Sequence, residues 1–129
     1  AASVPRLAPS GPGGAPDSLS AGAFFNHRGA KTPLAVSDVR LRVLGQARMP
    51  SGARYPAEWA LEVPRLALSL RIRPQVAAQE LPVSLRYWEG TVSISGSRAG
   101  QPLTGLGYVE LTGYADALRR EAGKAASFR

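Results

Sequence analysis

An antiparallel all-β domain, a sandwich or a barrel, is the fold class this chain predicts, and three observations predict it. Short segments in which apolar and polar residues alternate recur about seven times after residue 19, the period of a strand with one buried face. Glycine and proline punctuate these segments at regular intervals, as turns require. Nothing reads as a βαβ alternation, an internal repeat or a coiled-coil heptad. The 129 residues accommodate one domain and not comfortably two.

Each element follows from its own pattern. Residues 1–18 carry Pro5, Pro9, Pro12 and Pro16 with Gly11, Gly13 and Gly14. That composition excludes a helix or a central strand and predicts a disordered leader or linker. The β domain is expected over residues 19–115. Residues 21–27 form a first short strand, and Val39, Leu41 and Val43 alternate with Arg40 and Arg42 in a second. Trp59, Leu61 and Val63 share one face, with Glu58 and Glu62 on the other, until Pro64 interrupts. Leu66, Leu68, Leu70 and Ile72 then oppose Ala67, Ser69, Arg71 and Arg73, the cleanest half-buried strand in the chain, which Pro74 ends.

Val83, Leu85 and Tyr87 alternate with Ser84, Arg86 and Trp88, and Val92 and Ile94 alternate with Thr91, Ser93 and Ser95. Gly90, between these runs, predicts a bulge or a sharp bend. Residues 96–102 predict a turn and 103–113 the last strand. Within it, Gly105 and Gly107 share a face and suggest the close approach of another backbone or a ligand. Residues 116–129 favour a short helix or a flexible tail.

Composition narrows the chemistry. The absence of cysteine excludes disulfides, thiolate metal sites and a cysteine nucleophile. His27 is the single histidine, with no nearby carboxylate in sequence, and is expected at or near the surface. No metal site and no cofactor is predicted: there is no P-loop, and Gly105-Leu106-Gly107 lacks the third glycine and the helix of a dinucleotide site. The net charge is +7, and lysine supplies only Lys31 and Lys124, so arginine dominates, as in GC-rich composition. The arginines alternate along strands, as in Arg40/Arg42 and Arg71/Arg73, which argues for a solvated face and against a nucleic-acid partner. No apolar run approaches the roughly 18 residues of a spanning helix. The N-terminus shows neither an initiator Met nor a signal pattern, so a processed protein or a fragment is expected.

Two strings carry the chemistry. Tyr87-Trp88-Glu89-Gly90 and Gly105-Leu106-Gly107-Tyr108-Val109-Glu110-Leu111-Thr112-Gly113-Tyr114 each set a glutamate two residues after a tyrosine. Residues i and i+2 of a strand point to one face, so Tyr87 is expected beside Glu89 and Tyr108 beside Glu110. A glutamate among aromatics holds a proton more readily and can protonate an alkene, and aromatic faces stabilise the resulting cation. A bland alternative is a structural carboxylate paired with backbone or arginine. Glu89 and Glu110 could also flank a sugar as a glycosidase pair, if the fold brought them together.

These strings, with Tyr55-Pro56-Ala57-Glu58-Trp59, the strand pair around Pro64 and Gln79-Glu80-Leu81, occur in an order and spacing that closely resembles the C-terminal part of a known family. It is the lipocalin-like family of carotenoid 1,2-hydratases and bacterial predicted secreted hydrolases, and the resemblance spans about residues 54–115. It implies a lipocalin-like β-barrel, one of two in tandem, here incomplete, and a hydrophobic ligand of isoprenoid or lipid type. By that resemblance Glu89 is the catalytic acid and Tyr87 its orienting partner. Trp59, Trp88, Tyr108 and Glu110 line the ligand. In the hydratase branch a histidine stands two residues before the tryptophan, where this chain has Ala57. The resemblance further implies a bacterial periplasmic, secreted or membrane-associated protein and an N-terminal lipocalin-like domain as partner. A non-catalytic envelope lipid-binding module working with a transporter is the alternative. An unclosed barrel would also leave edges that invite a homodimer.

Overall fold

The structure, a computed structural model, describes residues 2–3, 21–81 and 87–112. Its regular elements are almost entirely antiparallel strands: β1 (Ala2–Ser3), β2 (Ala21–Phe25), β3 (Lys31–Ala35), β4 (Arg40–Arg48), β5 (Arg54–Val63), β6 (Leu68–Pro74), β7 (Glu80–Leu81), β8 (Tyr87–Arg98) and β9 (Gln101–Thr112). β1, β2 and β3 form one sheet in that order. The second sheet runs β4-β5-β6-β8, with β7 sharing the β6 edge of β8 and β9 on its other edge. The described ladders leave β4 and β9 as edges, so among the described residues pairing does not close the sheet. The all-β antiparallel architecture expected from the sequence is what the described residues adopt.

Local chemistry explains the elements. β3 holds Pro33, which donates no ladder hydrogen bond and is tolerated because β3 is an edge strand. β4 reaches Arg48, well past the alternation at Arg40–Val43, because the register shift between Val43 and Gly45 is cancelled by an opposite one between Gly45 and Gln46, so the pairing with β5 resumes. Pro64 opens a single 3-10 turn over Pro64–Leu66, closed by Ala67 in the left-handed region at φ 47. Leu66 therefore falls in the turn, and the strand starts at Leu68. The turn expected over 96–102 contracts to Ala99-Gly100, both with positive φ, as in a type I′ hairpin. Ala99 N–H also donates to Ala67 C=O at 2.8 Å, which joins the two turns.

The core lies on one face of the large sheet. Trp59, Leu61 and Val63 of β5 lie opposite Ile72, Leu70 and Leu68 of β6, and with Tyr55, Trp88, Val92 and Leu111 they form one cluster. Leu34 from β3 and Met49 from the β4–β5 turn close over it. The Arg98 guanidinium lies 4.3 Å from the centroid of the Phe24 ring and ties the small sheet to the end of β8.

Two expectations change here. Gly90 marks neither bulge nor bend: β8 runs from Tyr87 to Arg98 in unbroken register with β9. The Gln79 side chain occupies the space a Cβ at Gly90 would take, so a larger residue there would have to displace it. Gly105 and Gly107 also differ from one another. A Cβ on Gly107 would touch Val92 and Ile94 at 3.1 Å, whereas nothing lies within 4 Å of one on Gly105. Of the segment expected as a leader, Ala2–Ser3 pair with β2; its remaining residues, the alternation at 83–86 and the 116–129 tail lie outside the described residues.

Candidate functional site

The type I′ turn at Ala99-Gly100 sets the register of the β8–β9 ribbon, and the register assembles the site. Arg98 faces Gln101, and the ladder then places Thr91 opposite Tyr108, Glu89 opposite Glu110 and Tyr87 opposite Thr112. Directly opposed residues share a face, with Cβ atoms roughly 4.5–5.5 Å apart. Tyr87, Glu89, Tyr108 and Glu110 thus form one outward patch, on which Tyr87 and Glu89 are half-buried and Tyr108 and Glu110 exposed. The structure joins the two Tyr-x-Glu steps into a single constellation.

Tyr108 shows the coupling. Partial desolvation of its phenol holds its pKa above the ordinary value, and the charge of Glu89 and a hydrogen bond to that carboxylate add to this. Tyr87 and Glu110 push in the same direction. The phenol therefore stays protonated across the neutral range. Opposed carboxylates repel in such a ladder.

The expected aromatic walls are elsewhere. Trp88 and Glu89 are sequence neighbours, so the pleat points them to opposite faces. Trp88 is 1% exposed, and its indole N–H donates to Ala77 C=O at 2.9 Å. Trp59 is 5% exposed in the same core. The arrangement inferred from the resemblance, with Trp59 and Trp88 around Glu89, is not assembled: a sheet separates them. Ala57, two residues before Trp59, is half-buried. His27 sits exposed on the β2–β3 turn, where Asn26 Oδ1 accepts from the N–H groups of Arg28 and Ala30.

A strap over residues 75–81 supports the patch from behind, and alternation alone gave no hint of it. Gln75 N–H donates to Thr91 C=O at 3.0 Å and Glu89 N–H to Gln79 C=O at 3.2 Å. β7 then pairs Glu80 with Trp88 and Leu81 with Tyr87. Buried Tyr55 donates its phenol to Glu80 Oε1 at 3.0 Å, anchoring the strap to β5. The available signal was co-occurrence, since Tyr55 and Gln79-Glu80-Leu81 both lie in strings that carry the resemblance.

The outer-face arginines mostly pair. Glu58 accepts from Arg71 and, at 2.7 Å, from Arg73, and those bonds, in that order, hold its carboxyl below the usual range. Arg42 approaches Glu62 at 3.8 Å, and Arg65 meets Asp38 at 3.0 Å. No helix among the described residues is long and apolar enough to cross a membrane, and no group of three or more His, Cys, Asp or Glu among them could hold a metal ion.

An antiparallel sheet with a packed inner face and a polar, tyrosine-bearing outer face is the architecture of a lipocalin-like β domain, and the comparisons place it there. The chain belongs to the AttH-like family, whose model matches residues 11–114. Among solved structures it is similar to an AttH protein from Nitrosomonas europaea, at 29% identity and a TM-score of 0.61, over 74% of this chain and 30% of that one. It also shares its fold with kievitone hydratase from Nectria haematococca, at 18% identity and a TM-score of 0.61, over 72% of this chain and 29% of that one. The chain thus spans under a third of the length of either structure. No curated protein matches it.

Proposed function

We propose that this domain acts on a hydrophobic, isoprenoid or lipid-like ligand by acid-assisted addition of water, with Glu89 as the proton donor. The observation that carries the reading is the shared outward face of Tyr87, Glu89, Tyr108 and Glu110, on which Glu89 lies directly opposite Glu110. Membership of the AttH-like family and a fold shared with a hydratase support it. An apolar ligand lying over this face would displace water, and such cover favours the protonated form of a carboxyl group. In the reaction, the Glu89 proton passes to one alkene carbon while the π electrons form the new C–H bond. Water adds to the cationic carbon, and its surplus proton returns to the opposed carboxylate pair, so the enzyme ends with the protons it began with. Tyr87 and Tyr108 orient the carboxylate and, in place of the tryptophans, face the cation. A second lipocalin-like domain would supply the cover that this chain's outer face lacks. By the same family reading, the protein is periplasmic, secreted or membrane-associated.

The test incubates the chain with an acyclic carotenoid and follows its mass. A product heavier by one water that disappears in Glu89→Gln supports the reading, and undiminished product in Glu89→Gln removes Glu89 as the acid. A second reading, a non-catalytic lipid-binding module working with a transporter, is favoured by the burial of Trp59 and Trp88 away from Glu89. It gives lipophile binding without product, insensitive to Glu89→Gln.

A further inference from the structure

We propose that the outer face of the β4–β5 hairpin end is a binding site for a phosphate group. Arg48 and Arg54 are partners across the ladder, and Gln46, two residues before Arg48, takes the same face. All three are exposed, and with Ala47 they line an open cleft of about 260 Å³. Like charges placed directly opposite one another destabilise a strand pair. Three other outer-face arginines have carboxylate partners: Arg42 has Glu62, and Arg71 and Arg73 share Glu58. Among the described residues no carboxylate pairs with Arg48 or Arg54. The nearest acid along β5 on that face, Glu58, is already engaged by Arg71 and Arg73.

The chemistry of the missing partner follows from charge, shape and size. Two guanidinium forks rooted roughly 5 Å apart are close enough for both to reach one multidentate oxyanion. A phosphate monoester carries about −1.5 to −2 charge at neutral pH, which matches two arginines better than a single carboxylate does. The Gln46 carboxamide offers a further donor. The cleft is smaller than the roughly 300–1,000 Å³ that encloses a drug-sized ligand, so it takes a head group and leaves the remainder outside. The bearer of the phosphate is either a free anion or a lipid headgroup. The site lies on β4 and β5, away from the Glu89 patch, and stands independently of the function proposed above.

The experiment titrates the chain with inorganic phosphate by calorimetry. In parallel it measures co-sedimentation with vesicles of phosphatidylcholine alone and of phosphatidylcholine with phosphatidic acid. Arg48→Gln and Arg54→Gln are each expected to weaken binding by at least about tenfold, the loss of a charged hydrogen-bond partner. Arg28→Gln, which removes the same charge from an exposed turn, is expected to leave binding unchanged. Binding of inorganic phosphate that depends on Arg48 and Arg54 identifies a free-anion site. Binding confined to phosphatidic acid vesicles, with the same dependence, identifies a lipid headgroup site. Equal weakening by Arg28→Gln would show a general attraction of a basic protein and overturn the proposal, as would the absence of binding in both arms.

Discussion

The two faces of the β8–β9 ribbon are built from the same two strands and obey different rules. On the inner face Trp88, Val92 and Leu111 are buried, and Gly90, Gly96 and Gly107 are held to glycine by what lies against them. Packing decides most positions there, with Gly105 the exception. On the outer face Tyr87, Glu89, Thr91, Tyr108 and Glu110 meet solvent, and Tyr108 is 63% exposed. Charge and hydrogen bonding decide that face. Stability and chemistry can therefore be varied separately in this ribbon, because the sheet itself insulates one set of side chains from the other.

Substitutions that strike one face and spare the other test this separation. The largest effect is expected from Trp88→Ala, which empties a core site and removes the indole bond to Ala77. A loss of about 3–5 kcal/mol in urea denaturation is the typical cost of such a deletion. Gly96→Ala comes next. A Cβ there would overlap the Ser69 carbonyl oxygen, which is backbone and cannot swing aside, so a loss of about 1–3 kcal/mol is expected. The matched control is Gly105→Ala, where a Cβ meets nothing, and an unchanged urea midpoint is expected.

Smaller effects report on the outer face. Glu58 is held below its ordinary value of 4.5, so its arginine contacts stabilise the fold above that pH. The contribution is lost as pH falls through the lower folded value. Thermal melts of Glu58→Gln should therefore converge on the wild type in acid and fall below it near neutrality. Tyr108 behaves in the opposite sense. Its raised pKa means that the fold favours the neutral phenol, and this contribution is present below pH 10.0 and lost as pH rises from there through the folded value. Glu89→Gln removes the second-ranked cause of that shift, so the tyrosinate absorbance of Tyr108 should appear at lower pH. Its urea midpoint should stay close to wild type, since an exposed carboxamide replaces a half-exposed carboxylate. An unmoved tyrosinate titration would break the Tyr108–Glu89 pair on which the candidate site rests.

Much of the large sheet was legible in the sequence. Alternation placed Trp59, Leu61 and Val63 on one face and Leu68, Leu70 and Ile72 on another, and the sheet pairs the two sets side by side. Other parts were hidden for physical reasons. β3 was not legible because proline reads as a breaker, and only an edge position makes Pro33 acceptable. Gly90 read as a bend because nothing local reveals that Gln79 will fill its side-chain space. The Glu89–Glu110 pairing needed one datum, which two residues between Gly96 and Pro102 make the turn. Once Ala99-Gly100 is that turn, each step back along β8 matches a step forward along β9.

By itself the sequence determined the class of fold and the side of a strand that each residue takes. Both follow from the two-residue period of an extended backbone, which is local. That period already separates Trp88 from Glu89 and joins Tyr87 to it. The tertiary structure decided which strands are neighbours, which face is covered and what each carboxylate meets. Those outcomes depend on turn geometry and on burial by distant segments such as β3 and the 75–81 strap, and such contacts are set by the whole chain.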